Sequence, residues 1–173
     1  MVGDKTKMNL SLIFSQLGLS SKTSQDVMLF LAIALISFVF GMSIGRFKLI
    51  TVLINIYVSV ALLGVFPKGI LPDYTYSLML FFGIIILLTV LGKKMFEIQL
   101  SGSGKGFLWR VFVMSFLEVM LLLSVALTIM PKKIALGYVS PSSYDYLVSP
   151  NFAFFWMLAP LVFMFLIHKR ILR

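Results

Sequence analysis

The chain alternates between long apolar runs and short polar connections. Each run is close to the roughly 20 residues that an α-helix needs to cross a hydrocarbon core of about 30 Å. The runs cover residues 27 to 45, 49 to 66, 75 to 92, 107 to 130 and 152 to 167. The pattern predicts an all-α, polytopic transmembrane helical bundle that occupies residues 26 to 173 as a single domain.

Residues 1 to 25 are polar for most of their length, and no apolar core with a cleavage site marks a signal peptide. We expect a cytoplasmic tail in this region. Apolar residues recur at helical spacing at Leu10, Ile13, Phe14 and Leu17. Two interpretations follow, an amphipathic helix on the membrane surface or a loosely ordered tail, because short isolated helices are only marginally stable.

Composition agrees with the membrane prediction and argues against most enzyme classes. Sixty per cent of the 173 residues are hydrophobic and 12% are charged, too few polar residues to cover a soluble fold. The chain has no cysteine, one histidine and no H-E-x-x-H motif or paired aspartates. We therefore expect no catalytic residues, no metal site and no cofactor.

The net charge of +9 points to lipid headgroups rather than to nucleic acid. Basic residues cluster at the ends of the apolar runs, among them Arg46, Lys48 and Arg110. This placement is typical of contacts with anionic headgroups and of the positive-inside rule. Arg110 lies three residues inside its run, and we expect its side chain to reach back to the headgroups. We place the protein in a bacterial cytoplasmic membrane.

Only four residues, "GRFK", join the first two apolar runs. If the first run crosses the membrane, lysine and arginine divide 9 to 6 between the two sides; if it dips in and returns, they divide 12 to 3. The second arrangement agrees better with the positive-inside rule. It predicts four spanning helices plus a re-entrant or hairpin first element, with Gly41 and Gly45 at the bend. Taken alone, these two glycines also match a G-x-x-x-G packing face in an ordinary spanning helix.

Glu118 is the main candidate for a functional site because it lies in the middle of the run from 107 to 130. On insertion scales, an acidic side chain at that depth costs about 2.5 kcal/mol or more, so the Glu118 side chain should face protein or water. Asn55, in the middle of the second run, is the expected partner, and Ser59, Ser115 and Ser124 are further candidates. The pair would then be either a structural hydrogen bond between helices or part of an ion or proton path.

One stretch resembles a known family. Asp26 stands before the first apolar run, which continues into "GMSIGRFKLITVLINIYVSVALLGVFP". Over residues 26 to 67 this order resembles the start of the colicin V production, or CvpA-like, membrane proteins. The resemblance implies a small inner-membrane protein linked to bacteriocin production or envelope function, and it identifies no catalytic residues.

The sequence supports two functional hypotheses. The first is a non-enzymatic scaffold or accessory factor in envelope or bacteriocin-related processes, in which Asn55 and Glu118 specify helix packing. The second is a small oligomeric channel or transporter, in which Glu118 lines an ion or proton path. Either protein would assemble as a homo-oligomer or with a membrane partner protein.

Overall fold

The computed structural model describes residues 21–44, 48–67, 73–92 and 107–171. Within these ranges every regular element is an α-helix. The helices are α1 (Ser21–Ile44), α2 (Leu49–Val65), α3 (Tyr74–Leu91), α4 (Phe107–Ile129), α5 (Lys132–Ala135), α6 (Pro141–Val148) and α7 (Pro150–Ile171). The predicted surface helix in the tail, Gly45 and Arg46 lie outside the described residues.

Four helices are long and apolar enough to cross a membrane, the number that the sequence predicts, but they include the first apolar run in place of the run from 49 to 66. Their apolar stretches are Asp26–Ser43, Tyr74–Leu91, Leu108–Ile129 and Pro150–Ile167. Helix α2 is also apolar, but its 17 residues reach only about 25 Å at 1.5 Å per residue. The coarse prediction of an all-α membrane bundle is therefore confirmed.

Helix α4 is the centre of the bundle. It packs against α1, α2, α3, α6 and α7, and 44% of its apolar stretch is buried, compared with 11% in α3 and in α7. One core cluster joins α2, α3 and α4, and a second joins α1, α4 and the α5–α6 region. The outer helices instead leave large apolar side chains exposed, as helices in contact with lipid do.

The structure does not confirm the re-entrant or hairpin first element. Residues 21–44 form one uninterrupted helix, which runs antiparallel along α4. Near its end, Gly41 lies against Val111 and Ser115 in the first turns of α4. Near its start, Asp26 accepts hydrogen bonds from Ser140 and Ser143, which follow the carboxyl end of α4. The two ends of α1 therefore lie at opposite ends of the bundle.

The physical reason for this difference is local packing. A residue without a side chain at position 41 lets the backbone of α1 approach Ser115 closely, so the glycine serves helix contact instead of a bend. No proline interrupts α1, and its backbone hydrogen bonds stay within the helix. The sequence left two interpretations of the glycines open, a bend or a packing face, and at Gly41 the structure agrees with the packing face.

The connection between α4 and α7 is folded and attached to the bundle. The hydroxyl of Ser140 accepts a hydrogen bond of 3.1 Å from the backbone N–H of Ser143, and Pro141 is the first residue of α6. These are standard features of a helix start. The buried hydroxyl of Ser124 on α4 donates to the Leu147 carbonyl at 2.6 Å, so α6 is held against the carboxyl end of α4.

Candidate functional site

Glu118 is fully buried on α4, with 0% of its surface exposed. It shares a helix face with Met114, Leu121 and Val125, at positions four before and three and seven after it. Those three side chains belong to the core cluster formed with α2 and α3. The carboxyl group therefore points into the apolar interior between helices, as the sequence predicts for a side chain that avoids lipid.

Neither carboxyl oxygen of Glu118 has a hydrogen-bond partner among the described residues. An unsatisfied buried polar group typically costs about 1 to 3 kcal/mol, and more if it is charged. Most buried polar side-chain atoms in proteins do have a partner, so each exception needs an explanation. At catalytic and transport sites, the explanation for such a group is often its function.

The predicted pairing of Asn55 with Glu118 is not formed. The Asn55 Nδ2 atom on α2 donates instead to Thr89 Oγ1 on α3, at 3.0 Å. Other serines that could have reached the carboxyl group are also engaged, since Ser115 donates to the Val111 carbonyl at 2.8 Å and Ser124 to α6. The sequence position of Asn55 predicts a polar side chain in the middle of α2, but its hydrogen bond goes to α3 instead of α4.

Ser59 is a second polar group left without a partner. Its hydroxyl is fully buried and forms no hydrogen bond with the described residues. It lies on the face of α2 that carries Val52 and Ile56, both members of the cluster that surrounds Glu118. The two unsatisfied groups thus belong to the same region of the core, between α2 and α4.

Tyr57 was not recognised from the sequence as part of this region. Its hydroxyl on α2 donates to the backbone carbonyl of Met157 on α7, and its phenol ring packs against the same core cluster. Tyr57 also lies within electrostatic range of Glu118. A signal was available, because a tyrosine in the middle of an apolar run, away from the interface, needs a partner for its hydroxyl.

The remaining predicted residues lie away from Glu118. Lys48 is exposed directly before α2. Arg110 is partly exposed in the first turn of α4, eight residues and about 12 Å of helix rise from Glu118. This separation excludes a direct ion pair between them. Among the described side chains, no three histidine, cysteine, aspartate or glutamate residues come together as metal ligands.

No family model, curated protein or solved structure matches this chain. A carboxyl group and a hydroxyl without other partners can accept, hold and release a proton.

Removing the Tyr57 hydroxyl should weaken the contact between α2 and α7. We expect Tyr57→Phe to lower the free energy of unfolding by about 0.6 kcal/mol, the average for hydrogen bonds between membrane helices. The measurement is the unfolding of purified protein in mixed micelles as the denaturing detergent is increased. Tyr138→Phe is the matched control, because Tyr138 is 76% exposed and should leave stability unchanged. Equal effects of the two substitutions would contradict the role of Tyr57.

Proposed function

We propose that the protein is a small transporter or channel in which Glu118 binds and releases a proton inside the membrane. A single observation supports this over the scaffold hypothesis: the Glu118 carboxyl group is fully buried and makes none of the described hydrogen bonds. A glutamate kept for helix packing should hold a neighbouring helix, as Asn55 holds Thr89. Glu118 carries the desolvation cost without that contact.

The ligand that best fits the site is a proton rather than a metal cation. Calcium takes six to eight oxygen ligands and magnesium is octahedral. Around Glu118 the only other unsatisfied buried side-chain oxygen of the described residues belongs to Ser59. Asn55 donates through Nδ2 to Thr89 on α3, and no hydrogen bond joins it to Glu118 among the described residues. One carboxyl group and one hydroxyl suffice for proton transfer, whereas they make a poor site for a dehydrated cation.

The charge distribution supports an orientation in the membrane. With α1 crossing the bundle, the connections that follow α1 and α3 share one side with the end of α7. Together with Arg110 in the first turn of α4, they contain nine of the fifteen lysine and arginine residues. We place this side in the cytoplasm, so that the start of α1 lies on the opposite side, and this proposal replaces the cytoplasmic tail expected from the sequence. A bacterial cytoplasmic membrane with anionic lipids remains our proposed location.

The scaffold or accessory role is the second candidate. Hydrogen bonds from Asn55 to Thr89 and from Tyr57 to Met157 connect α2 to α3 and to α7. Such fixed contacts between helices suit a protein that acts as a scaffold. The resemblance to CvpA-like proteins supports a role in envelope or bacteriocin-related processes, although Asp26 lies inside α1 instead of before it. In either role, the exposed apolar side chains of α1, α3 and α7 offer surface for a second copy or a membrane partner.

Proton flux into liposomes tests the proposal. Purified protein is reconstituted with a pH-sensitive dye inside the vesicles, and a potassium diffusion potential drives protons inward. We expect Glu118→Gln to lower the flux by about tenfold or more, because an amide cannot exchange an acidic proton. Arg110→Gln is the control on the same helix, and it should retain most of the flux.

Two results would contradict the proposal. One is a Glu118→Gln protein that is correctly folded and conducts protons as well as the wild type. The other is a wild-type protein whose flux does not exceed that of empty liposomes under either sign of the potential. The second result would favour the scaffold role.

A further inference from the structure

A groove opens at the end of the bundle where α1 begins and α4 ends. Its volume is ≈ 540 Å³, within the range of about 300 to 1,000 Å³ that is usual for small-molecule sites. One wall is formed by Met28, Leu29 and Ala32 of α1, and the other by residues 136 to 141. Most of these side chains are apolar, whereas polar atoms form nearly half of the exposed lining. The groove therefore offers apolar side chains to a hydrocarbon chain and polar groups to a headgroup.

A negatively charged group, the Asp26 carboxylate, lies beside the groove and is hydrogen-bonded to its lining. Ser140, which lines the groove, donates a hydrogen bond to Oδ1 of Asp26, and Ser143 donates to the same oxygen at 2.7 Å. Asp26 is only partly buried. The hydrogen bonds that it accepts from Ser140 and Ser143 both go to Oδ1, which leaves Oδ2 for a further donor. The carboxylate therefore remains accessible to a cationic group.

The groove lies where the apolar stretches of the bundle end. The apolar stretch of α1 starts at Asp26 and that of α4 stops at Ile129. Tyr138 is strongly exposed on the groove wall, and Trp156 donates a hydrogen bond to the Tyr146 carbonyl nearby in the chain. Tyrosine and tryptophan in this arrangement are typical of the boundary between the hydrocarbon core and the headgroups.

We propose that this groove binds a phospholipid with a primary ammonium headgroup, the chemistry of phosphatidylethanolamine. The apolar walls take part of an acyl chain, and the Asp26 carboxylate accepts a charge-assisted hydrogen bond from the ammonium group. An anionic headgroup would meet repulsion from the same carboxylate. A quaternary ammonium has no N–H to donate, so phosphatidylcholine should bind less well. This inference is independent of proton transfer at Glu118.

Lipid-dependent stability tests the proposal. The full chain is purified in a mild detergent without lipid, and its thermal unfolding midpoint is measured with added phosphatidylethanolamine, phosphatidylcholine or phosphatidylglycerol of identical acyl chains. We expect phosphatidylethanolamine near saturation to raise the midpoint by about 5 to 10 °C, and the other two lipids to raise it by less than half as much. Ethanolamine without acyl chains should have no effect.

Two substitutions locate the effect. Asp26→Asn removes the charge but keeps an oxygen that can accept from Ser140 and Ser143, and it should abolish the preference for phosphatidylethanolamine. Asp145→Asn is the matched control, because Asp145 is exposed on α6 and, unlike Asp26, its side chain accepts no described hydrogen bond from Ser140 of the groove; it should keep the preference. Ala32→Trp fills the groove without touching Asp26, so it should remove the stabilisation as well.

Three results would overturn the proposal. Equal stabilisation by all three phospholipids would show general lipid solvation instead of a specific site. A preference for phosphatidylethanolamine that survives both Asp26→Asn and Ala32→Trp would place its binding elsewhere. Stabilisation by ethanolamine alone that equals the effect of the lipid would indicate a site for a free amine.

Discussion

Replacing Glu118 by leucine is expected to raise the stability of the protein while it abolishes proton flux. Leucine is apolar and similar in volume, and it removes two buried oxygens that have no described partner. Relief of this desolvation should increase the free energy of unfolding by about 1 to 3 kcal/mol. The same substitution deletes the only carboxyl group in the described part of this core. Gain of stability with loss of flux is the pattern expected of a functional carboxyl group.

Asn55→Leu is the matched control for this prediction. Asn55 is also a buried polar residue in the middle of a helix, but its hydrogen bond to Thr89 is formed. Its replacement should therefore lower the free energy of unfolding by about 0.5 to 1.5 kcal/mol. Detergent-induced unfolding of both variants, followed by circular dichroism, shows whether each substitution raises or lowers the free energy of unfolding. A Glu118→Leu protein that is less stable than the wild type would indicate that the carboxyl group has a structural partner after all.

Gly41→Ala should produce a large loss of stability, because it forces α1 away from α4. A Cβ atom at position 41 would overlap the hydroxyl oxygen of Ser115 and would lie 3.2 Å from its Cβ. The hydroxyl can rotate only by giving up its hydrogen bond to the Val111 carbonyl, and the Cβ contact remains. Overpacking of this kind typically costs about 1 to 3 kcal/mol. Thermal unfolding in detergent measures the effect.

The chain supplies its own controls for this substitution. Gly64 in α2 and Gly83 in α3 have no atom within 4 Å of an added Cβ. Alanine at either site should be neutral or should stabilise the helix by up to about 1 kcal/mol, since alanine is the better helix former. Adding Ser115→Ala to Gly41→Ala should restore part of the lost stability. If all three glycines respond alike to alanine, the close contact between α1 and α4 is not formed.

Helix positions were predictable because the information is local. The apolar run from 75 to 92 became α3 (Tyr74–Leu91), and the run from 107 to 130 became α4 (Phe107–Ile129). Run length and hydropathy are sufficient for such assignments, since every backbone group in a bilayer must be satisfied within the helix. The burial of Glu118 was predictable for the same reason, as an acidic side chain avoids lipid.

The partners of polar residues were not predictable because they depend on contacts between distant parts of the chain. Asp26 stands directly before the first apolar run, but α1 begins five residues earlier, at Ser21. Its true partners, Ser140 and Ser143, are 114 and 117 residues away. Charge counting likewise failed to find the path of α1, because the positive-inside rule contains no term for the contact of Gly41 with Ser115.

The central position of α4 has a consequence for the order in which the bundle assembles during synthesis. Helices α2 and α3 are consecutive and pack against each other, so they can pair as soon as both have entered the membrane. Helix α1 is made first, yet its main packing partner is α4, which the ribosome completes some sixty residues after the end of α2. Until then, Gly41 and the face of α1 that later packs against α4 are in contact with lipid or with an insertion factor. The docking of α1 on α4 then forms the contact between Gly41 and Ser115 and brings Ile33 into the second core cluster.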